Sequence, residues 1–149
     1  MTEYRPRFFT SDAEIEHIGD GLLARSLPRE EWTHEAHLAA TTYLLTHRSD
    51  VDLDTELRGI IRRYNESVGG VNSDTEGYHE TITQLFIRTL RGALAGSEGE
   101  GLAGRVNAVL LAPEGRRDWP LRFYSRERLF SKEARLGRVE PDLQTPLPG

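Results

Sequence analysis

The sequence predicts an all-α fold: a bundle of four main helices, one or two short helices and an irregular C-terminal tail. Apolar residues recur at helical spacing in several segments, helix-capping motifs precede two of them, and no alternating apolar and polar run is long enough for a sheet. A chain of 149 residues with 37% apolar residues can bury its own core. We therefore expect residues 1–149 to form a single domain.

The first two helices are predicted from their starts. A capping box at Ser11 to Glu14 predicts a helix over residues 12–25. A second helix begins either at Pro28 or with Thr33 as its N-cap, and it runs to about His47. The sequence leaves both starts open.

The third helix has the clearest pattern, and a fourth helix follows it. The apolar residues of the third helix recur at one face and are Leu53, Leu57, Ile60, Ile61, Tyr64 and Val68. The pair Gly69-Gly70 ends this helix, and a second capping box at Ser73 to Glu76 predicts a further helix that continues to about Leu90.

The C-terminal third of the chain is predicted to be less regular. Five glycines predict a flexible connection near residues 92–104, and a shorter fifth helix covers Leu102 to Ala112. Trp119 to Tyr124 is predicted to be extended, and Ser125 to Leu136 can form one or two helical turns. The prolines of residues 139–149 predict an irregular tail.

Composition excludes several classes of protein. The net charge is -5 and no nucleic-acid-binding motif is present, so we expect no nucleic acid partner. Residues 115–138 carry seven arginines and one lysine against three acidic residues, which favours either an anion or the acidic remainder of the fold as their partner. The absence of cysteine excludes disulfides and thiolate sites. Without a long apolar run or an apolar leader, we expect a cytoplasmic protein that does not enter a membrane.

Three histidines are the main candidates for chemistry. His34 and His37 lie about 60° apart around a helix, and His79 shares a predicted helix face with Ile82 and Phe86. Both segments also follow the pattern E-x-x-H-E. Because a buried imidazole needs a hydrogen-bond partner or a metal, three of them on inner faces predict a local network or an ion.

The sequence leaves three interpretations of these histidines open. His34, His37 and His79, completed by Glu80 or water, suit a mononuclear site for zinc, iron, manganese or nickel that acts on a small polar molecule. Alternatively, His79 performs metal-free acid-base catalysis with Glu80 and Tyr78 beside it. In the third interpretation the histidines are structural, and the protein is a helical interaction module that forms a homodimer.

Five segments of the chain resemble a family of short bacterial proteins of unknown activity. The segments are T-H-E-A-H-L, R-R-Y-N-E, G-Y-H-E-T-I-T, Y-S-R-E-R-L-F-S and V-E-P-D-L, and they cover Thr33 to Leu143. The resemblance implies a single all-helical domain and brings no activity, cofactor or substrate. A looser similarity of architecture links the chain to DinB-like four-helix bundles, whose histidine triad holds a divalent metal; this chain has His34-x-x-His37 in place of their H-x-x-x-H pair.

Overall fold

A computed structural model describes residues 7–97, 101–144 and 147, and these residues form seven α-helices and no strand. The predicted all-α class is therefore confirmed. The helices are α1 (Asp12–Ala24), α2 (His34–His47), α3 (Leu53–Ser67), α4 (Glu80–Ala95), α5 (Leu102–Leu111), α6 (Arg126–Leu129) and α7 (Lys132–Leu136). Three 3-10 turns accompany them, at Arg29–Glu31, Pro113–Gly115 and Trp119–Arg122. In the described part of the chain, no helix has both the length and the apolar character that a membrane crossing requires.

Helix α1 begins and ends close to the predicted residues. The Ser11 hydroxyl accepts the backbone N–H of Glu14 at 3.2 Å, as the capping box predicts. The Glu14 carboxylate reaches one residue further back and accepts the N–H of Thr10 at 3.0 Å. The helix ends at Ala24, and the residue after it, Arg25, has a φ of 59° in the left-handed region.

Helix α2 begins after Thr33, which decides between the two predicted starts. The Thr33 hydroxyl accepts the N–H of Ala36 at 3.1 Å, while Arg29–Glu31 forms a separate 3-10 turn. Helix α2 is central, because it packs against α1, α4 and α5. The approach of α1 is close: a Cβ on Gly19 would lie 2.1 Å from the ring of Tyr43.

Helix α3 buries the predicted apolar face. Leu53, Leu57, Ile61 and Tyr64 are buried, and the helix packs against α1 and α4. The Tyr64 hydroxyl donates to the backbone carbonyl of Leu27 at 2.8 Å, which satisfies the polar end of this core residue.

The predicted start of the fourth helix at the Ser73 box is wrong. The Ser73 hydroxyl does accept the N–H of Glu76 at 3.1 Å, but this bond closes a turn. At Gly77 the backbone takes a φ of +80°, and a Cβ there would lie 2.3 Å from the carbonyl oxygen of Val71. This left-handed residue interrupts the helical path, so α4 begins only after His79.

Two further expectations need correction, while the irregular tail is confirmed over its described residues. The connection near 92–104 is shorter than predicted, because α4 continues to Ala95 and α5 already begins at Leu102. Residues 98–100 lie outside the described residues. Trp119–Arg122 forms a 3-10 turn instead of an extended segment, with Pro120 in its first turn, where a missing N–H costs nothing. The tail is irregular over residues 139–144, and its remaining residues, except Leu147, lie outside the described part.

A second hydrophobic cluster covers one side of α4 and fixes the C-terminal segment to it. The buried members of this cluster are Leu85, Trp119, Phe123, Tyr124 and Leu129. Hydrogen bonds reinforce the contact at the start of α4: the His79 ring donates to the carbonyl of Leu129 at 2.6 Å. The Thr81 hydroxyl donates to the carbonyl of Gly137 at 3.1 Å and accepts the N–H of Val139 at 3.2 Å. The start of α4 therefore depends on residues 50 or more positions later.

Candidate functional site

A cleft of about 380 Å³ is lined by residues of the N-terminal half of α2, of α3 and of α4. We call it the histidine cleft. Its lining residues are Trp32, Thr33, His34, His37, Leu38, Thr41, Ile61, Ile82, Thr83, Phe86 and Arg117. Helix α2 packs against α4, and two of the three candidate histidines, His34 and His37, line the cleft.

His34 is held in the cleft by a distant backbone group. Its Nε2 lies 2.7 Å from the carbonyl oxygen of Gly115, which only accepts, so Nε2 carries the proton and Nδ1 keeps a lone pair. Position 115 itself packs tightly on the end of α5, since a Cβ there would lie 2.2 Å from the carbonyl oxygen of Val109. The ring also meets Phe86 edge to face, with 5.6 Å between centroids.

His37 is oriented from within its own helix. Its Nδ1 donates to the carbonyl oxygen of Thr33 at 2.7 Å, which leaves a lone pair on Nε2. The ring stacks against Trp32 with 3.8 Å between centroids and a tilt of 31°. Trp32 in turn meets Tyr64 edge to face at 5.3 Å. The imidazole is thus fixed on one nitrogen and on one face of the ring.

Both imidazoles of the cleft are neutral at pH 7. Burial lowers the pKa of His37 to about 4, although its bond to the Thr33 carbonyl opposes the shift, and repulsion from His34 and Arg117 adds to it. Burial also lowers the pKa of His34, against the opposing effect of the Gly115 carbonyl. The cleft therefore presents two imidazole nitrogens that accept hydrogen bonds and have no partner among the described residues.

Other polar groups of the cleft add donors and acceptors. The Thr33 hydroxyl accepts the N–H of Ala36 and keeps its own hydrogen for donation. The Thr41 hydroxyl donates to the carbonyl of His37 at 2.7 Å and keeps a lone pair. The exposed Arg117 guanidinium makes no hydrogen bond or ion pair with another described residue, and no described carboxylate lines the cleft. This set of groups suits a neutral or an anionic molecule better than a cation.

His79 lies outside the lining of the cleft and has a structural position. It is the N-cap of α4: its Nδ1 accepts the N–H of Ile82 at 3.2 Å, and its Nε2 donates to the carbonyl of Leu129 at 2.6 Å. The expectation that His79 shares a helix face with Ile82 and Phe86 is therefore wrong, because the helix starts after it. Both ring nitrogens are used, and burial lowers the pKa of the ring so that it stays neutral.

Tyr78 and Glu80 form a separate network beside His79. The Tyr78 hydroxyl donates to Glu80 Oε1 at 2.6 Å, and Glu80 Oε2 lies 3.6 Å from a guanidinium nitrogen of Arg58. Burial and the Glu80 carboxylate both raise the pKa of Tyr78. Neither Tyr78 nor Glu80 lines the histidine cleft. The structure thus does not bring the predicted catalytic group together with His34 and His37.

The described residues do not fit the predicted mononuclear metal site. Among residues 7–97, 101–144 and 147, no three histidine or carboxylate side chains are grouped so that they could hold an ion. His79 would have to give up both of its hydrogen bonds to become a ligand. The glutamates of the E-x-x-H pattern are not on the helices: Glu31 lies in a 3-10 turn, 3.5 Å from His17, and Glu76 lies in the loop before α4.

A second cavity of about 750 Å³ adjoins the histidine cleft. We call it the polar cavity. It shares Trp32 and His37 with the cleft, and its other lining residues are Arg29, Asn65, Val68, Gly69, Gly70, Val71, Thr75, Glu76, Gly77 and Arg135. Trp32 and His37 therefore separate a mainly apolar space from a polar one.

Sequence analysis missed Trp32, Arg29, Arg117 and Arg135 as site residues. The positive charge of residues 115–138 was the only signal, and it concerned Arg117 and Arg135. In the structure, the basic residues of this segment have two kinds of surroundings. Several members lie beside an acidic side chain, in the pairs Arg116 with Asp118, Lys132 with Asp74 and Arg138 with Glu140. Arg117 and Arg135 line the two cavities instead.

In comparisons with known proteins, the chain matches no protein-family model, no curated protein and no solved structure. The resemblance to short bacterial proteins therefore stays a prediction, and the function has to be argued from the site.

Proposed function

We propose that the protein binds a small, mainly apolar organic molecule in the histidine cleft and holds it by a hydrogen bond to His34 or His37. One observation carries the proposal. Each of these neutral imidazoles is fixed through one nitrogen by a backbone carbonyl and keeps an acceptor without a described partner on the other. A ligand O–H or N–H that enters the cleft would satisfy such an acceptor, while aromatic and aliphatic walls would bury the rest of the molecule.

The size and the walls of the cleft support a ligand with a flat ring. A volume of about 380 Å³ is within the range of small-molecule sites. Trp32 and Phe86 supply aromatic surface, and Ile61 and Ile82 supply aliphatic surface. Aromatic walls favour aromatic ligands, because offset or edge contacts add to the area that is buried.

The lowered pKa values favour binding over proton abstraction. General-base catalysis is most effective when the pKa of the base is close to the working pH, and a His37 pKa of about 4 is far from neutrality. No described carboxylate lines the cleft to raise that pKa. Metal-assisted action on a substrate finds no support either, because His79 uses both nitrogens elsewhere.

The homodimeric interaction module stays a prediction with one supporting feature, the structural position of His79. Such a dimer would require a helix that exposes a stripe of apolar side chains on the side that faces away from the core. The exposed large apolar side chains of the described residues lie on separate elements instead, and they are Phe8, Val71, Leu111, Phe130, Leu136 and Leu143. No described helix carries more than one of them.

The proposal is tested with indole and 1-methylindole, in which a methyl group replaces the hydrogen of the N–H donor. In an NMR titration of isotope-labelled protein, we expect indole to shift the resonances of Ile82, Phe86 and their neighbours, and to bind roughly 3- to 10-fold more tightly than 1-methylindole. In a His34→Phe, His37→Phe double variant, the two probes should bind equally. A His79→Gln variant is the matched control, and it should keep the preference for indole. Equal affinity of the two probes for the unmodified protein, or no binding of either, would overturn the proposal.

A further inference from the structure

We infer that the natural ligand of the histidine cleft is an organic anion, and that its carboxylate or phosphate group is bound in the polar cavity by Arg29 and Arg135. This inference rests on the proposed function and specifies the class of ligand. It follows from the side chains that the two cavities share, from the charges of the polar cavity and from the hydrogen bonds that its two guanidinium groups make or leave open.

The two cavities adjoin one another at two shared side chains. Trp32 and His37 line each of them, and these two rings stack on one another at 3.8 Å. A molecule with an apolar body in the histidine cleft would pass this pair of rings to reach the polar cavity. The neutral imidazole of His37 adds no charge at this junction.

The polar cavity has a positive charge. Two guanidinium groups, those of Arg29 and Arg135, face one carboxylate, that of Glu76, and the remaining lining residues are uncharged at neutral pH. An excess of one positive charge favours an anion over a cation or a neutral group.

The two arginines are available for a ligand in different ways. Arg29 is exposed on its 3-10 turn, and its guanidinium makes no hydrogen bond or ion pair with another described residue. Arg135 donates through Nη1 to the carbonyl oxygens of Gly77 at 2.8 Å and Tyr78 at 3.3 Å. These bonds fix the Arg135 guanidinium against the loop that lines the cavity, and its other N–H groups remain for an anion. A guanidinium fork suits the planar carboxylate and the phosphate oxygens.

Arg117 is the competing cation, because it lies at the histidine cleft and has no described ion-pair partner. An anion bound by Arg117 would remain on the cleft side of the Trp32 and His37 pair. The two positions are distinguished by comparing Arg29→Ala with Arg117→Ala.

The experiment compares indole-3-propionate with indole-3-propionamide, which has the same shape and no charge. In an NMR titration at about 50 mM salt, we expect the acid to bind at least about tenfold more tightly than the amide and to shift the amide resonances of residues 69–77. The preference should decrease at about 200 mM salt, because the contact is electrostatic. Inorganic phosphate, titrated alone, should shift the same loop resonances if the cavity also accepts phosphate groups; if it shifts none of them, only the carboxylate part of the inference survives.

Arg29→Ala is the main variant, since this exposed side chain has no described structural contact. It should remove most of the preference for the acid and leave the affinity for the amide unchanged. Arg135→Gln should act in the same direction, and Arg63→Ala, an exposed arginine that lines neither cavity, should have no effect. If the acid and the amide bind equally well, or if only Arg117→Ala removes the preference, the inference is wrong while the proposed function stands. If neither probe binds, both are wrong.

Discussion

Acidification tests the neutral state of His37 that the site requires. In the unfolded chain the imidazole titrates near its ordinary pKa of 6.5, whereas burial in the folded protein lowers the pKa to about 4. Between these two values the unfolded state binds more protons than the folded state. The free energy of unfolding therefore rises with pH in this window, and stability is lost as the pH falls from about 6.5 towards 4.

The magnitude follows from the two pKa values. Over the full window the shift corresponds to roughly 3 kcal/mol, because each pKa unit is worth about 1.4 kcal/mol. Between about pH 7.5 and pH 5.5, His37 alone should cost about 1.3 kcal/mol of stability. This range is useful because carboxylates with an ordinary pKa near 4 are still ionised at pH 5.5. His34 and His79, whose pKa values are also lowered, add a loss of the same sign.

The assay is urea unfolding at both pH values, followed by circular dichroism, for the unmodified protein, His37→Gln and His47→Gln. The His37→Gln variant should lose about 1.3 kcal/mol less on acidification than the unmodified protein, because its side chain does not titrate. His47 is exposed and lines neither cavity, so His47→Gln should keep the full pH dependence. An identical loss in His37→Gln and the unmodified protein would refute the idea that His37 is buried in its neutral form.

Two more substitutions test the helix faces and the role of His79. Ile61→Ala should cost about 2 to 4 kcal/mol through lost burial and a residual cavity, whereas Arg62→Ala should stay near neutral; equal urea midpoints would show that the face of α3 is misplaced. His79→Gln should cost about 1 to 3 kcal/mol, because it removes the cap on the N–H of Ile82 and the donor to the Leu129 carbonyl. Since His79 is not placed as a ligand, the purified variant and the unmodified protein should have the same metal content. A chelator should also shift the thermal midpoint of both proteins by the same amount. A metal that is present in the unmodified protein and lost from the variant would restore the three-histidine site.

Local signals explain which helices could be predicted. The periodic face of α3 and the Ser11 box depend on residues within one or two helical turns, and the structure has both. The Ser73 box has the same local pattern, yet Gly77 takes a left-handed conformation and ends its continuation. A capping motif therefore predicts a hydrogen-bonded turn more reliably than it predicts the helix that follows.

The candidate site could be predicted only in part, because its geometry depends on distant contacts. The placement of His34 and His37 on the inner side of α2 followed from helical spacing. The partner of His34 is Gly115, 81 positions away, and the partner of His79 is Leu129, 50 positions away. No local pattern indicates which carbonyl a buried imidazole will meet. The burial of His79 was therefore predicted correctly, while its role as a helix cap was not.

The hydrogen bonds that join the start of α4 to the C-terminal segment impose an order on folding during synthesis. On the ribosome, α1 to α3 emerge before the residues that complete the site. The carbonyl that fixes His34 belongs to residue 115, and the groups that hold His79 and Thr81 belong to residues 129–139. A nascent chain that ends before these residues can form the α1 and α2 contact but lacks the groups that orient the imidazoles and start α4 correctly. Ligand binding should thus appear late in translation, after the helices that supply most of the cleft have already been made.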